Sequence, residues 1–142
     1  MTDWEKYFEL QKEYELFYST MSNKKVVVIN QVGIFCEIYE YDPEICINDL
    51  NDKGKIDSSG KIWNNKIGYA KEISDILHLI WFPCYRRLHG INNPFIVGFP
   101  IINFEKNLKI LLKNDFIIVK FEQNKANPSE NGCVTEIINS SY

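Results

Sequence analysis

Four β-branched residues stand in a row at Val26-Val27-Val28-Ile29. Such side chains are stiff and pack well on a pleated surface, and an apolar run without alternation reads as a buried strand. Gly33 then breaks the pattern as a turn or bulge. The next run, Ile34 to Tyr41, alternates. On a strand, Ile34, Cys36 and Ile38 point one way and Phe35, Glu37 and Tyr39 the other. Phe35 and Glu37 therefore share a face, and Cys36 turns to the opposite side.

A helix precedes these strands. Thr2 and Glu5 have capping-box spacing, and Asp3 adds negative charge at the helix start. Trp4, Tyr7, Phe8, Tyr14, Phe17 and Tyr18 recur at helical spacing and read as core packing. The helix should fray near Ser22 and Asn23. From Pro43 to Lys66 periodicity is lost among Asn, Asp, Lys, Gly and Ser, so this segment reads as a surface or partly disordered insertion with Trp63 as its apolar anchor.

A second helix is expected from Ile67, with Ile67, Ala70, Ile73, Ile76 and Leu77 on its apolar face. Leu79 to Phe82 reads as a strand ended by Pro83. Residues 84–93 form a polar connection. Pro94 to Gly98 is another strand, and Phe99-Pro100 turns the chain. Asn103 is the expected N-cap of a helix carrying Phe104, Leu108, Leu111 and Leu112, with Asn114 as its stop. Strands follow at Phe116 to Phe121 and Cys133 to Ile138. This alternation predicts an α/β (α+β) fold: one domain over residues 1–142, a mixed sheet with about three helices packed on it.

Composition limits the function classes. The chain has 16 Lys and Arg against 19 Asp and Glu, for a net charge of −3. Non-specific DNA affinity comes mostly from cations that replace phosphate counterions, so an acidic domain should bind DNA weakly by itself. No apolar run approaches the roughly 18 residues of a membrane span. The polar N-terminus argues against a signal peptide. Cys36, Cys46, Cys84 and Cys133 lack the spacing of a zinc site and read as free thiols in a reducing, intracellular setting. There is no G-x-x-x-x-G-K-[ST] phosphate loop, and no Ser/His/Asp signature. Asp42, Glu44 and Asp49 fall in the polar segment and read as solvated rather than as a nuclease centre.

Six segments, in order, resemble the N-terminal mismatch-recognition domain (domain I) of MutS-type DNA mismatch repair proteins. They are Tyr7-Phe8-Glu9-Leu10-Gln11 with Tyr14; Val28 through Glu40, which holds a Phe-x-Glu motif; Gly68 to Leu77; Asn93-Pro94-Phe95-Ile96-Val97-Gly98-Phe99-Pro100; Phe116 to Gln123; and Val134-Thr135-Glu136-Ile137. The resemblance spans about Tyr7 to Ile138, interrupted by 43–66. The Gln31-Val32-Gly33 wording and the Asn- and Lys-rich composition lean towards the branch from giant viruses and octocoral mitochondria. The residue inside the motif is usually aromatic, and here it is Cys36.

The resemblance implies a module that binds mismatched or unpaired bases in double-stranded DNA. Phe35 would enter the minor groove and stack on the mispaired base, and Glu37 would hydrogen-bond it. An apolar wedge unstacks a base step at a cost of about a few kcal/mol, and the cost is lower where pairing is already damaged. The carboxylate penalises intact DNA and recovers that loss only on a suitable base. Lys24, Lys25, Arg86, Arg87 and Lys106 are the candidates for phosphate pairing, with Lys109 and Lys113 on the same helix face as Lys106. The resemblance further implies that ATP and Mg belong to a domain absent from these residues, so this chain is expected to hold no cofactor and to be no enzyme. Its partners would be the remaining MutS domains and a dimer mate. The alternative is a stand-alone protein-interaction domain that keeps the fold without autonomous DNA binding.

Overall fold

The computed structural model describes residues 1–21, 23–48, 50–83, 89–123 and 132–139. Three helices, α1 (Asp3–Phe17), α2 (Ala70–Leu77) and α3 (Phe104–Lys113), accompany seven strands. The strands are β1 (Lys25–Val32), β2 (Phe35–Tyr41), β3 (Ile67–Gly68), β4 (Phe82–Pro83), β5 (Phe95–Pro100), β6 (Phe116–Glu122) and β7 (Cys133–Ile138). The sheet runs β4-β5-β2-β1-β6-β7, with β3 paired to β2. β1 and β6 are parallel, and the other strand pairs are antiparallel. The fold is thus the expected mixed sheet with three helices.

Helices cover both faces. Val27, Ile29, Cys36 and Ile38 pack against Ala70, Ile73 and Leu77 of α2 and Phe104, Leu108 and Leu111 of α3. Val26, Val28, Tyr39 and Tyr41 pack against Tyr7 and Phe8 of α1 and against Trp63. Because β1 is central and covered twice, its apolar run needs no alternation.

The hairpin of β1 and β2 is paired only at its tip, through Asn30 with Glu37, Gln31 with Cys36 and Val32 with Phe35. Beyond those rungs α1 takes over the exposed backbone. The Tyr7 hydroxyl donates to Val28 O at 2.6 Å and accepts from the Tyr39 amide. Gln11 Nε2 donates to Val26 O at 2.6 Å, and Gln11 Oε1 accepts from Val28 N at 2.8 Å. These side chains stand in for a missing strand and satisfy main-chain groups that would otherwise be buried without partners. β3 then pairs with the far half of β2, Gly68 beside Glu40 and Ile67 beside Tyr41.

Several boundaries differ from expectation. Ile67 is not helical: it pairs with Tyr41 and is buried on the α1 side of the sheet. α2 begins at Ala70, after Gly68 adopts φ 95. Leu79 to Trp81 form no strand, and Phe82–Pro83 do. β5 extends through Phe99-Pro100, and the chain turns afterwards in a 3₁₀ turn, Ile101–Asn103. Asn103 makes no side-chain capping bond, because that turn already feeds the helix. Asn114 does close α3, its Nδ2 donating to Ile110 O at 2.8 Å, while the left-handed residue is Asp115 at φ 64. Of the aromatic stripe on α1, Phe17 is exposed and the others are at least partly buried.

The described part of 43–66 is ordered and fastened, unlike the loose insertion expected. It holds two 3₁₀ turns, Ile45–Asn48 and Leu50–Lys55, and a bridge between Ile56 and Ile62. Asp57 organises the bend. Burial works to raise its pKa, but hydrogen bonds from Ser59, Trp63 and the Lys61 amide outweigh that and hold it at about 2. Ser58 donates through both its hydroxyl (2.6 Å) and its amide (3.2 Å) to Glu5 on α1. Glu5 therefore bonds the insertion, while Thr2 caps α1 by accepting from the Glu5 amide at 3.2 Å. Trp63 anchors the segment as expected, packing against Phe8 of α1, while the polar part of the docking was concealed because buried carboxylates make it.

Candidate functional site

The hairpin between β1 and β2 turns on Gly33 and Ile34. Gly33 has φ 63, at the first turn position where tight hairpins favour glycine. This geometry pushes Ile34 into solvent at 69% exposure and leaves Phe35 50% exposed. Pro100 faces Phe35 across β5, and the Ile101 amide donates to Ile34 O at 2.7 Å. Ile102, 86% exposed, follows directly. One end of the sheet therefore presents three apolar side chains, Ile34, Phe35 and Ile102.

Phe35 and Glu37 lie on one face as the alternation requires, and Cys36 is fully buried on the other. Burial pushes the Cys36 thiol up to about 11, so it packs as a small apolar group. Glu37 sits between Asn30 on β1 and Gly98 on β5. A β-carbon at Gly98 would lie 3.9 Å from Glu37 Cγ, an ordinary van der Waals contact. On the other side the Tyr39 hydroxyl donates to Glu37 Oε1 at 3.0 Å. Tyr39 is buried, and burial first, then the Glu37 charge, raises its pKa well above the ordinary tyrosine range. It remains a fixed donor that orients the carboxylate.

Behind Glu37 a cleft of about 400 Å³ opens between the start of α1 and the sheet. Its lining includes Trp4, Asn30, Glu37, Tyr39 and Gln123. Asn30 is only 4% exposed, and its Oδ1 has no hydrogen-bond partner. Neither Asn30 nor Tyr39 was singled out as a site residue from the sequence. The available signal was a pair of amide side chains, Asn30-Gln31, closing an apolar β-branched run.

Among the described residues the predicted cations Lys24 and Lys25 are remote from Phe35. Lys24 and Lys25 lie at the opposite end of β1, roughly 20 Å along the strand from the hairpin. Lys24 Nζ bonds Asn139 Oδ1 at 3.0 Å, and Lys25 Nζ pairs with Glu72 at 2.6 Å. Arg86 and Arg87 lie outside the described residues. Lys106 is exposed in the first turn of α3, close in sequence to the segment docked on Ile34. Lys109 and Lys113 are exposed further along α3, which runs back towards the Lys25 end. Glu122, exposed at the end of β6, pairs with Gln31 near the hairpin.

Among the described residues no group of three His, Cys, Asp or Glu side chains is placed to hold a metal ion. Asp42 Oδ1 instead accepts from the Glu44 amide in a local turn, and Asp49 lies outside the described residues. No helix among them is long and apolar enough to cross a membrane. No protein-family model matches the chain, and no curated protein matches it.

Proposed function

We propose that the chain binds mismatched or unpaired bases in double-stranded DNA, as the recognition module of a MutS-type mismatch repair protein. The observation that carries this reading is the half-exposed Phe35 at the tip of a rigid hairpin, with Glu37 beside it on the same face. Phe35 supplies the wedge. Its neighbours on both flanking strands are held by main-chain ladders, so little ordering is left for the moment of insertion. Glu37, oriented by Tyr39, supplies an acceptor for a base edge. Intact duplex leaves that carboxylate among phosphates without a donor, and a displaced base supplies one. ATP hydrolysis belongs, on this reading, to a further domain of a longer protein acting in a reducing intracellular compartment.

Lys106 is the described candidate for phosphate contact at the Phe35 end, so affinity of this domain alone is expected to be low and to fall with salt in proportion to the few phosphates it neutralises. The test is an NMR titration of isotope-labelled protein with a homoduplex, and with the same duplex carrying one G·T mismatch or one unpaired base. Larger shifts at Phe35, Glu37 and the stretch from Asn93 to Pro100 with the defective duplex support the proposal. Equal shifts place discrimination in other domains, and absent shifts at low salt overturn autonomous DNA binding.

One observation favours a second reading, a protein-interaction domain. Ile34, Phe35 and Ile102 form an exposed apolar end, while Lys24 and Lys25 are remote from it and already engaged. An apolar partner would bind there with little salt dependence and no preference for a defective duplex, whereas DNA binding weakens as salt rises, by an amount set by the number of phosphates neutralised.

A further inference from the structure

We propose that the cleft behind Glu37 is a binding site for a guanidinium group. The inference stands apart from the DNA reading and rests on what the cleft can still bond. Two of its polar groups are already used: the Thr2 hydroxyl donates to Asn92 Oδ1 at 2.6 Å, and the Tyr39 hydroxyl donates to Glu37. The capacity that remains is mostly for accepting. Asn30 Oδ1 is buried without a partner, although the Asn30 side chain also bonds Tyr39. Glu37 stands directly across from Asn30, so two acceptors line one wall, with β-carbons about 5 Å apart. Asp3 adds a second carboxylate, and among the described residues the lining contains no lysine or arginine.

An unsatisfied buried oxygen beside two carboxylates selects a donor-rich cation. Nucleobase edges mix donors with acceptors, so a base edge that donates to Glu37 leaves the other acceptors of the cleft unserved. An ammonium is compact and strongly hydrated. A guanidinium has five donors and no acceptor, is planar and weakly hydrated, and stacks on aromatic side chains. Trp4 and Tyr39 supply aromatic surface in the same cleft. A volume of about 400 Å³ accommodates the group with an alkyl tail. The same chemistry arises from a free small guanidinium compound or from an arginine side chain of a partner protein.

The test is an NMR titration of the whole chain without DNA, using propylguanidinium, N-acetyl-arginine amide, its uncharged citrulline analogue and butylammonium. The expected result is saturable shifts of the Asn30 side-chain amide, the Trp4 indole and Gln123 with both guanidinium probes, and none with the citrulline analogue. Glu37→Gln should weaken binding at least about tenfold, the loss typical of removing a charged hydrogen-bond partner. Asn30→Leu should do the same; Glu37→Gln, on a partly exposed side chain, keeps the test valid if burial makes the Leu variant unstable. Tighter binding of the arginine amide than of propylguanidinium points to a protein-borne arginine, and equal affinity to a free compound. No saturable shift, equal binding of citrulline or butylammonium, or unchanged affinity in Glu37→Gln overturns the proposal. Because no DNA is present, failure of the DNA reading leaves this result unaffected.

Discussion

The Tyr39 hydroxyl holds Glu37 Oε1 at 3.0 Å, two residues along the same strand face. A buried donor thereby orients a partly exposed acceptor, and the orientation is testable. Tyr39→Phe should cost about 1–3 kcal/mol of stability, because it also strands the buried Asn30 side chain that bonds the same hydroxyl. On the proposed function it should also lower the ratio of mismatch to homoduplex affinity while leaving homoduplex binding almost unchanged. Urea unfolding and fluorescence anisotropy read the two effects separately.

Phe35 is half-exposed, so its removal should be nearly silent in the fold. Phe35→Ala is expected to change stability by no more than about 1 kcal/mol. On the proposed function it should abolish the preference for a mismatched duplex. Retained preference in an anisotropy titration would remove Phe35 from the recognition role.

Gln11 bonds both Val26 O and Val28 N from a fully buried position. Gln11→Leu keeps the bulk but leaves an amide and a carbonyl of β1 without partners. The expected loss is roughly 2–6 kcal/mol, from about 1–3 kcal/mol for each of the two groups stranded. Amide hydrogen exchange at Val28 should accelerate more than at Ile118 on the neighbouring strand.

Gly68 has φ 95, and a β-carbon there would overlap the Tyr39 carbonyl oxygen. Gly68→Ala must both strain the backbone and push β3 off β2. A loss of more than about 2 kcal/mol is expected. Gly60→Ala, at φ 87 with open space around it, should cost less in the same thermal melt.

His89 lies between the rings of Tyr41 and Phe95, with centroids 5.8 Å and 4.1 Å away. Its Nε2 accepts from the Asp42 amide at 2.9 Å, a bond that protonation at that nitrogen destroys. Burial lowers its pKa from 6.5 to about 4, with Asp42 opposing and Lys71 assisting. Between those values the unfolded chain binds a proton that the folded chain refuses. Stability from this group is therefore complete above pH 6.5 and declines as pH falls towards about 4, by at most about 1.4 kcal/mol per pH unit. His89→Gln should flatten that part of the profile, measured by urea unfolding across the window.

Much of the candidate site was legible from alternation alone. Phe35 and Glu37 fall on one face and Cys36 on the other because a strand has a period of two, whatever surrounds it. The same holds for the apolar faces of α2 and α3, whose i+3 and i+4 spacing needs only a helix. Asn30 was not legible as a buried acceptor. Its burial depends on α1 approaching from far along the chain, and its missing partner depends on where the neighbouring side chains stop. The distance between Lys25 and Phe35 was equally hidden, since a lysine before a strand and a phenylalanine after it become remote only when the strand is straight between them.

Local spacing was thus enough to set the elements, their inward faces and the mixed α and β character of this protein, because dihedral preference and side-chain period act over a few residues. Tertiary packing alone decided that α1 would bond the backbone of β1 and leave a cleft between its own start and the sheet. Gln11 and Tyr7 reach main-chain partners 15 and 21 residues away. A bond of that reach leaves no periodic trace, since its geometry exists only once both layers have closed on the sheet.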